Sequence, residues 1–151
     1  MLKRIPWKKV WVVLLVIFVL IQFKTVDKTN PELIIENDFL EMTNAPSEVV
    51  ELMHEVCYDC HSHSVRYPWY SKIAPVSWWM KGHVDNGLGK SNFAEWSGYS
   101  SVEQDSILTR SSRLVGLKWM PIITYKITHS EARLSLEQRE MLIDYFDSIE
   151  R

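Results

Sequence analysis

Cysteine is scarce: the 151 residues hold two, Cys57 and Cys60. That excludes a disulfide framework, because a bridge between residues three apart closes too small a loop to stabilise much. It leaves no second cysteine pair for the commoner kind of zinc site. Since neither cysteine lies directly after the N-terminal apolar run, in Gln22 to Asp27, a lipoprotein acyl anchor is excluded as well. The chain also lacks a basic excess. Net charge is −2, and residues 1–23 contain Lys3, Arg4, Lys8 and Lys9 without an acid, so the rest carries 13 basic against 19 acidic residues. No basic patch suited to nucleic acid forms, whereas a mildly acidic surface suits a basic redox partner. Internal repeats, low-complexity tracts and convincing strand patterns are missing too, which leaves an all-α chain of one modest domain.

What is present begins with aromatics and one apolar run. Seven Trp, six Tyr and five Phe are many for this length; they suit the lining of a flat prosthetic group, with core filling as the plainer explanation. Val10 to Ile21 contains no charge, Gly or Pro. A run apolar on every face behind a basic terminus has the pattern of a signal-type segment. No pair of small residues marks a cleavage site after it, so the sequence predicts an uncleaved anchor, Ile5 to Phe23 reaching membrane-spanning length if Lys8 and Lys9 snorkel. Basic residues stay cytoplasmic, which puts the remainder on the periplasmic side of a bacterial inner membrane as a single-pass protein. The division is then 1–23 transmembrane helix, 24–45 a Pro- and Asn-containing linker, and 46–151 the functional domain.

Cys57-Tyr58-Asp59-Cys60-His61 fits C-x-x-C-H, the attachment signature of c-type haem. Two thiols one helical turn apart reach two vinyl groups on one porphyrin edge, and the next imidazole is carried to the iron as its proximal ligand. The expected cofactor is therefore one covalent haem c with its iron, held by Cys57, Cys60 and His61. Two rivals share the cysteines. A thioredoxin-like centre wants a strand before the pair and β/α alternation around it, and neither is found. A zinc site would take Cys57, Cys60 and two of His61, His63, His83 and His129. Tyr58 and Asp59, between the cysteines, are expected to point to solvent, and His54 and His63 to be exposed.

Helices are read from period and caps. Val49, Leu52, Met53 and Val56 form a stripe that opens at Pro46-Ser47 and delivers Cys57 on its last turn. Ser101 to Gln104 starts a helix from Val102 to Leu117, and the Ser135 to Gln138 box starts a terminal one from Leu136 to Ile149, with Leu142, Tyr145, Phe146 and Ile149 inward. A short helix is expected around Ser77 to Val84, between proline-rich irregular stretches.

This order, a helix ending in C-x-x-C-H, a loop-rich middle, Met120-Pro121 and a C-terminal helix, resembles the class I cytochrome c fold. More closely, Tyr67-Pro68-Trp69-Tyr70-Ser71, Ile73-Ala74-Pro75-Val76-Ser77-Trp78-Trp79, Asn92-Phe93-Ala94-Glu95-Trp96, Met120-Pro121, Tyr125, His129 and Ala132-Arg133-Leu134-Ser135 resemble the bacterial haem-binding domain family, over about residues 46–150. The departure is Leu88, where that family's pattern has a basic residue. The resemblance implies a cytochrome-c-like helical haem domain. It implies Met120 as the distal iron ligand, and Pro75, with Pro68 as runner-up, as the carbonyl that meets Nδ1 of His61. His83 and His129 remain alternative ligands, and Met53, Met80 and Met141 suit helix packing better. Trp69, Trp78, Trp79 and Trp119 can pack on a haem face or simply fill the core, and Trp79 joins the candidate haem contacts. The expected function is one-electron transfer with a protein redox partner, without catalysis on a substrate. The rivals are a peroxidase, which needs a distal acid-base group such as His83 or His129, and a redox or gas-sensing accessory protein.

Overall fold

The computed structural model describes residues 6–149, and every regular element among them is helical. The all-α expectation therefore holds. The chain divides into two compact units, one of residues 1–29 and 67–83, the other of residues 30–66 and 84–151.

The first unit contains α1 (Trp7–Ile21), a 3-10 turn (Trp69–Lys72) and the start of α5 (Val76–Lys90). It corrects the expected anchor. The apolar run does form a helix, but 15 residues rise only about 22 Å, against a hydrocarbon core of about 30 Å. Among the described residues no helix is long and apolar enough to cross a membrane. Ile5, the first residue of the longer span, and Lys3 and Arg4 of the basic flank before it lie outside the described residues. At the other end Gln22 leaves the helix, its side chain accepting from Ala74 N at 2.9 Å and donating to Ala74 O at 3.1 Å. The transmembrane helix, the single-pass inner-membrane location and the periplasmic placement built on it are therefore withdrawn. In the same unit Trp78 donates its indole hydrogen to Lys24 O at 2.8 Å.

The second unit holds the main core, built from α2 (Phe39–Met42), α3 (Ser47–Val56), α4 (Tyr58–His61), the end of α5, a 3-10 segment (Phe93–Gly98), α6 (Ser101–Gly116), α7 (Ile123–Thr128) and α8 (Leu136–Ser148). The stripe of α3 is buried as its spacing predicts: Val49, Leu52, Met53 and Val56 all lie inside. Helices α6 and α8 pack along each other, both entered through complete capping boxes, Ser100 with Glu103 and Ser135 with Gln138. The first box sits one residue earlier than expected, because Ser100 rather than Ser101 carries the extended backbone of an N-cap. Within residues 24–45, expected as a linker, Asp38, Phe39 and Leu40 are buried in the core. Asp38 caps α2, and Phe39 is fully buried with its ring 5.2 Å from Phe93, 4.7 Å from Trp96, 5.9 Å from Tyr145 and 6.2 Å from Phe146. Removing such a ring costs about 3–5 kcal/mol, so this part of the segment is structural.

Candidate functional site

The cysteines and His61 sit on one tight turn. Cys57 leaves the helical region at φ −120°, ψ −45°, which ends α3 at Val56 and starts α4 at Tyr58. Its carbonyl then accepts from both Cys60 N, at 3.1 Å, and His61 N, at 3.0 Å. One backbone oxygen thus ties the second cysteine and the histidine to the first. Both thiols are free and half-buried. Burial pushes Cys57 up to about 12, with Cys60 adding to the rise, and pushes Cys60 up to about 11, with the Asp59 charge adding. Protonated thiols at neutral pH are the reverse of a thioredoxin-like centre, whose nucleophile needs a lowered pKa. The zinc rival fares no better: among the described residues no three His, Cys, Asp or Glu side chains converge as a metal cluster.

His61 is held at one nitrogen. Its Nδ1 lies 3.0 Å from Ser91 O and 2.9 Å from Ser91 Oγ. A carbonyl only accepts, so Nδ1 carries the hydrogen, and a neutral imidazole then keeps its lone pair on Nε2. Burial lowers the pKa of the ring below its usual value, opposed by the backbone bonds to Ser91 and Gly87, so the neutral form prevails at pH 7. This is the tautomer that ligates a metal through Nε2 while a carbonyl holds the far side of the ring. The carbonyl expected here was that of Pro75 or Pro68; it is Ser91's. Nothing in the sequence singles out Ser91, since a backbone acceptor leaves no side-chain signature.

Gly87 brings the end of α5 against this turn. A Cβ built there would lie 2.2 Å from Cys60 O and 3.0 Å from Cys60 C, so only glycine allows the approach.

The two residues between the cysteines are not solvent-facing. Tyr58 is 1% exposed and Asp59 6%, and both are tied down. Tyr58 donates to Asp38 Oδ1 at 2.7 Å and stacks on Phe93 at 5.9 Å. Asp59 accepts from Arg66 Nε at 2.9 Å, Arg66 N at 3.1 Å, Arg66 Nη2 at 3.2 Å and Tyr125 Oη at 2.7 Å. Every position of the motif except the cysteines is thus hydrogen-bonded through its side chain. His63 is buried rather than exposed: Nδ1 meets Glu32 O at 3.1 Å and Nε2 meets Asn92 Nδ2 at 3.0 Å. Asn92 Oδ1 accepts from Ala94 N, which orients that amide. His63 is therefore a structural histidine.

The other candidates are placed as follows. Met120 is half-buried and packs against the core of the second unit; its carbonyl accepts from Arg139 Nη1 at 3.4 Å, and its bond to Pro121 is cis. His129 stacks on Tyr125 at 4.0 Å in the same unit, its Nδ1 3.3 Å from Tyr125 O. In the first unit Trp79 is 46% exposed and its ring lies 4.2 Å from that of His83, whose Nδ1 is 2.8 Å from Trp79 O. Pro75 is exposed and follows a cis bond from Ala74. Trp69 and Trp119 are largely exposed, and the tryptophan that fills the core is Trp96.

A family model described as a haem-binding domain matches residues 16–148. The chain belongs to that haem-binding family. No curated protein and no solved structure matches it. The residues of the turn fit the family's cofactor on their own chemistry: two reduced thiols one turn apart, and an imidazole whose free lone pair is on the nitrogen away from its backbone anchor. In this haem-binding domain Cys57, Cys60 and His61 are the group that would hold it.

Proposed function

We propose that this protein is a monohaem c-type cytochrome that passes one electron at a time between redox proteins. The observation that carries the reading is the His61 tautomer. With Nδ1 hydrogen bonded to Ser91 O at 3.0 Å, Nε2 is left as a ligand atom beside two free, protonated thiols. Cys57 and Cys60 would be the attachment points, each S–H adding across one vinyl double bond so that sulfur takes one carbon as a thioether and the hydrogen goes to the other. Met120, which packs against the core of the same unit, would supply the second ligand to the iron. A haem held in this way supplies an iron that accepts and releases one electron.

The chain's own task is to fix that ligand set and to set its potential. Ser91 anchors the ring of His61. Asp59, held by Arg66 and Tyr125, and Tyr58, held by Asp38, keep the attachment turn from rotating. The side chain of Arg66 is mostly exposed, so its pairing adds little to stability by itself, whereas the buried Tyr58 and Asp38 contribute more. The acidic balance of residues 24–151 favours a partner with a basic docking face.

Acid-acetone extraction of the protein, expressed together with a c-type cytochrome maturation system, tests the reading. Haem that stays with the polypeptide, and a reversible one-electron change in the absorption spectrum, are expected. Complete extraction of the haem would refute covalent attachment.

A further inference from the structure

The hydrogen on His61 Nδ1 has more than one acceptor. Ser91 O lies at 3.0 Å and Ser91 Oγ at 2.9 Å, both from the same residue. Because the carbonyl fixes the hydrogen on Nδ1, the hydroxyl also faces that nitrogen as an acceptor, and the N–H is shared in a three-centre bond. The arrangement is rigid on both sides. Ser91 N donates to Gly87 O at 3.0 Å, Asn92 N donates to Tyr99 Oη at 2.9 Å, and Ser91 itself is 9% exposed. The ring of Phe93 lies 5.9 Å from that of His61, on a residue two places further along.

We propose that Ser91 is a positioning residue that lowers the reduction potential of the bound iron, its hydroxyl acting through Nδ1 of His61. The proposal rests on the reading of His61 as the proximal ligand. A second acceptor draws the Nδ1 hydrogen further from the ring and makes Nε2 a stronger donor. A stronger donor stabilises the ferric state over the ferrous one. The carbonyl alone would orient the ring; the hydroxyl adds basicity. It is a property of this chain's side chain at position 91, and any residue there would still present the carbonyl.

The test uses the haem-loaded full chain with Ser91→Ala and Ser91→Thr, the first removing the hydroxyl and the second keeping one. Two readouts are taken: the midpoint potential by redox titration, and solvent exchange of the His61 Nδ1 hydrogen in the ferrous protein by nuclear magnetic resonance. Ser91→Ala should keep its covalent haem, raise the potential and speed the exchange, while Ser91→Thr should stay close to wild type in both. An unchanged or lowered potential in Ser91→Ala, or an equal rise in Ser91→Thr, overturns the proposal. Failure of the underlying reading looks different: wild-type protein without covalent haem, or a His61→Ala variant with an unchanged iron spectrum, would remove the ligand itself and not only the role of Ser91.

Discussion

Tyr58, the residue after the first cysteine, hands its phenolic hydrogen to Asp38 Oδ1 at 2.7 Å, and both are buried. The bond joins the attachment turn to the N-cap of α2, since the same Oδ1 accepts from Leu40 N at 2.9 Å. Tyr58→Phe should therefore lower stability by about 1–3 kcal/mol, the cost of leaving a buried acceptor poorly paired. Denaturant unfolding with an unchanged slope would measure it. A loss under a few tenths of a kcal/mol would show that the bond is dispensable.

The same tyrosine predicts a pH dependence. Burial and the bond to Asp38 raise the Tyr58 pKa above its usual 10.0, and burial and Asp59 do the same for Tyr125. For an acid whose folded pKa is raised, the native state binds more protons than the unfolded state above the unfolded pKa, so stability falls as pH rises. The protein should be insensitive to these groups below about pH 9 and lose stability above about pH 10. Tyr58→Phe should flatten that alkaline slope. An equally steep slope in the variant would place its origin elsewhere.

Gly87 and Gly89 lie two residues apart on α5 and should respond oppositely to alanine. A Cβ at Gly87 runs into the backbone of Cys60 at 2.2 Å, whereas nothing lies within 4 Å of one at Gly89. Gly87→Ala should displace the attachment turn and reduce haem incorporation. Gly89→Ala should be neutral or mildly stabilising, since Gly89 lies in the last turn of α5, one residue before its end at Lys90, and a Cβ there meets nothing. Haem content per polypeptide and thermal unfolding of both variants check this; equal behaviour would refute the close approach.

Much of the helical layout was legible in the sequence because it is written in side-chain period and caps. The α3 stripe, the box at Ser135 and the inward face of α8 are local signals, and the structure repeats them. Three things escaped for physical reasons. Phe39 follows the polar run Glu36-Asn37-Asp38, and its burial comes from Phe93, Trp96, Tyr145 and Phe146, far away in the chain. The Ser91 carbonyl is a backbone group and has no residue-type signature. Tyr58 and Asp59 read as solvent-facing from the sequence because their partners, Asp38, Arg66 and Tyr125, are identified only once the chain is folded. The anchor failed for the opposite reason: hydropathy alone does not give the length over which a run stays helical, which here ends at Ile21.

Met120 as distal ligand makes a spectroscopic prediction. The ferric protein should show the weak far-red band of thioether-to-iron charge transfer, and Met120→Ala should abolish it and lower the potential. A band that is absent from the wild type, or survives the substitution, would turn attention to His129 and His83.

The central claim is that Cys57 and Cys60 bind one haem covalently, with His61 beneath the iron. The most direct measurement is the intact mass, under denaturing conditions, of the wild type and of a Cys57→Ala/Cys60→Ala variant matured alongside a c-type cytochrome assembly system. The wild type should weigh one polypeptide plus one haem and the variant the bare polypeptide. A wild-type mass equal to the bare chain, or a variant that still carries haem after denaturation, would contradict it.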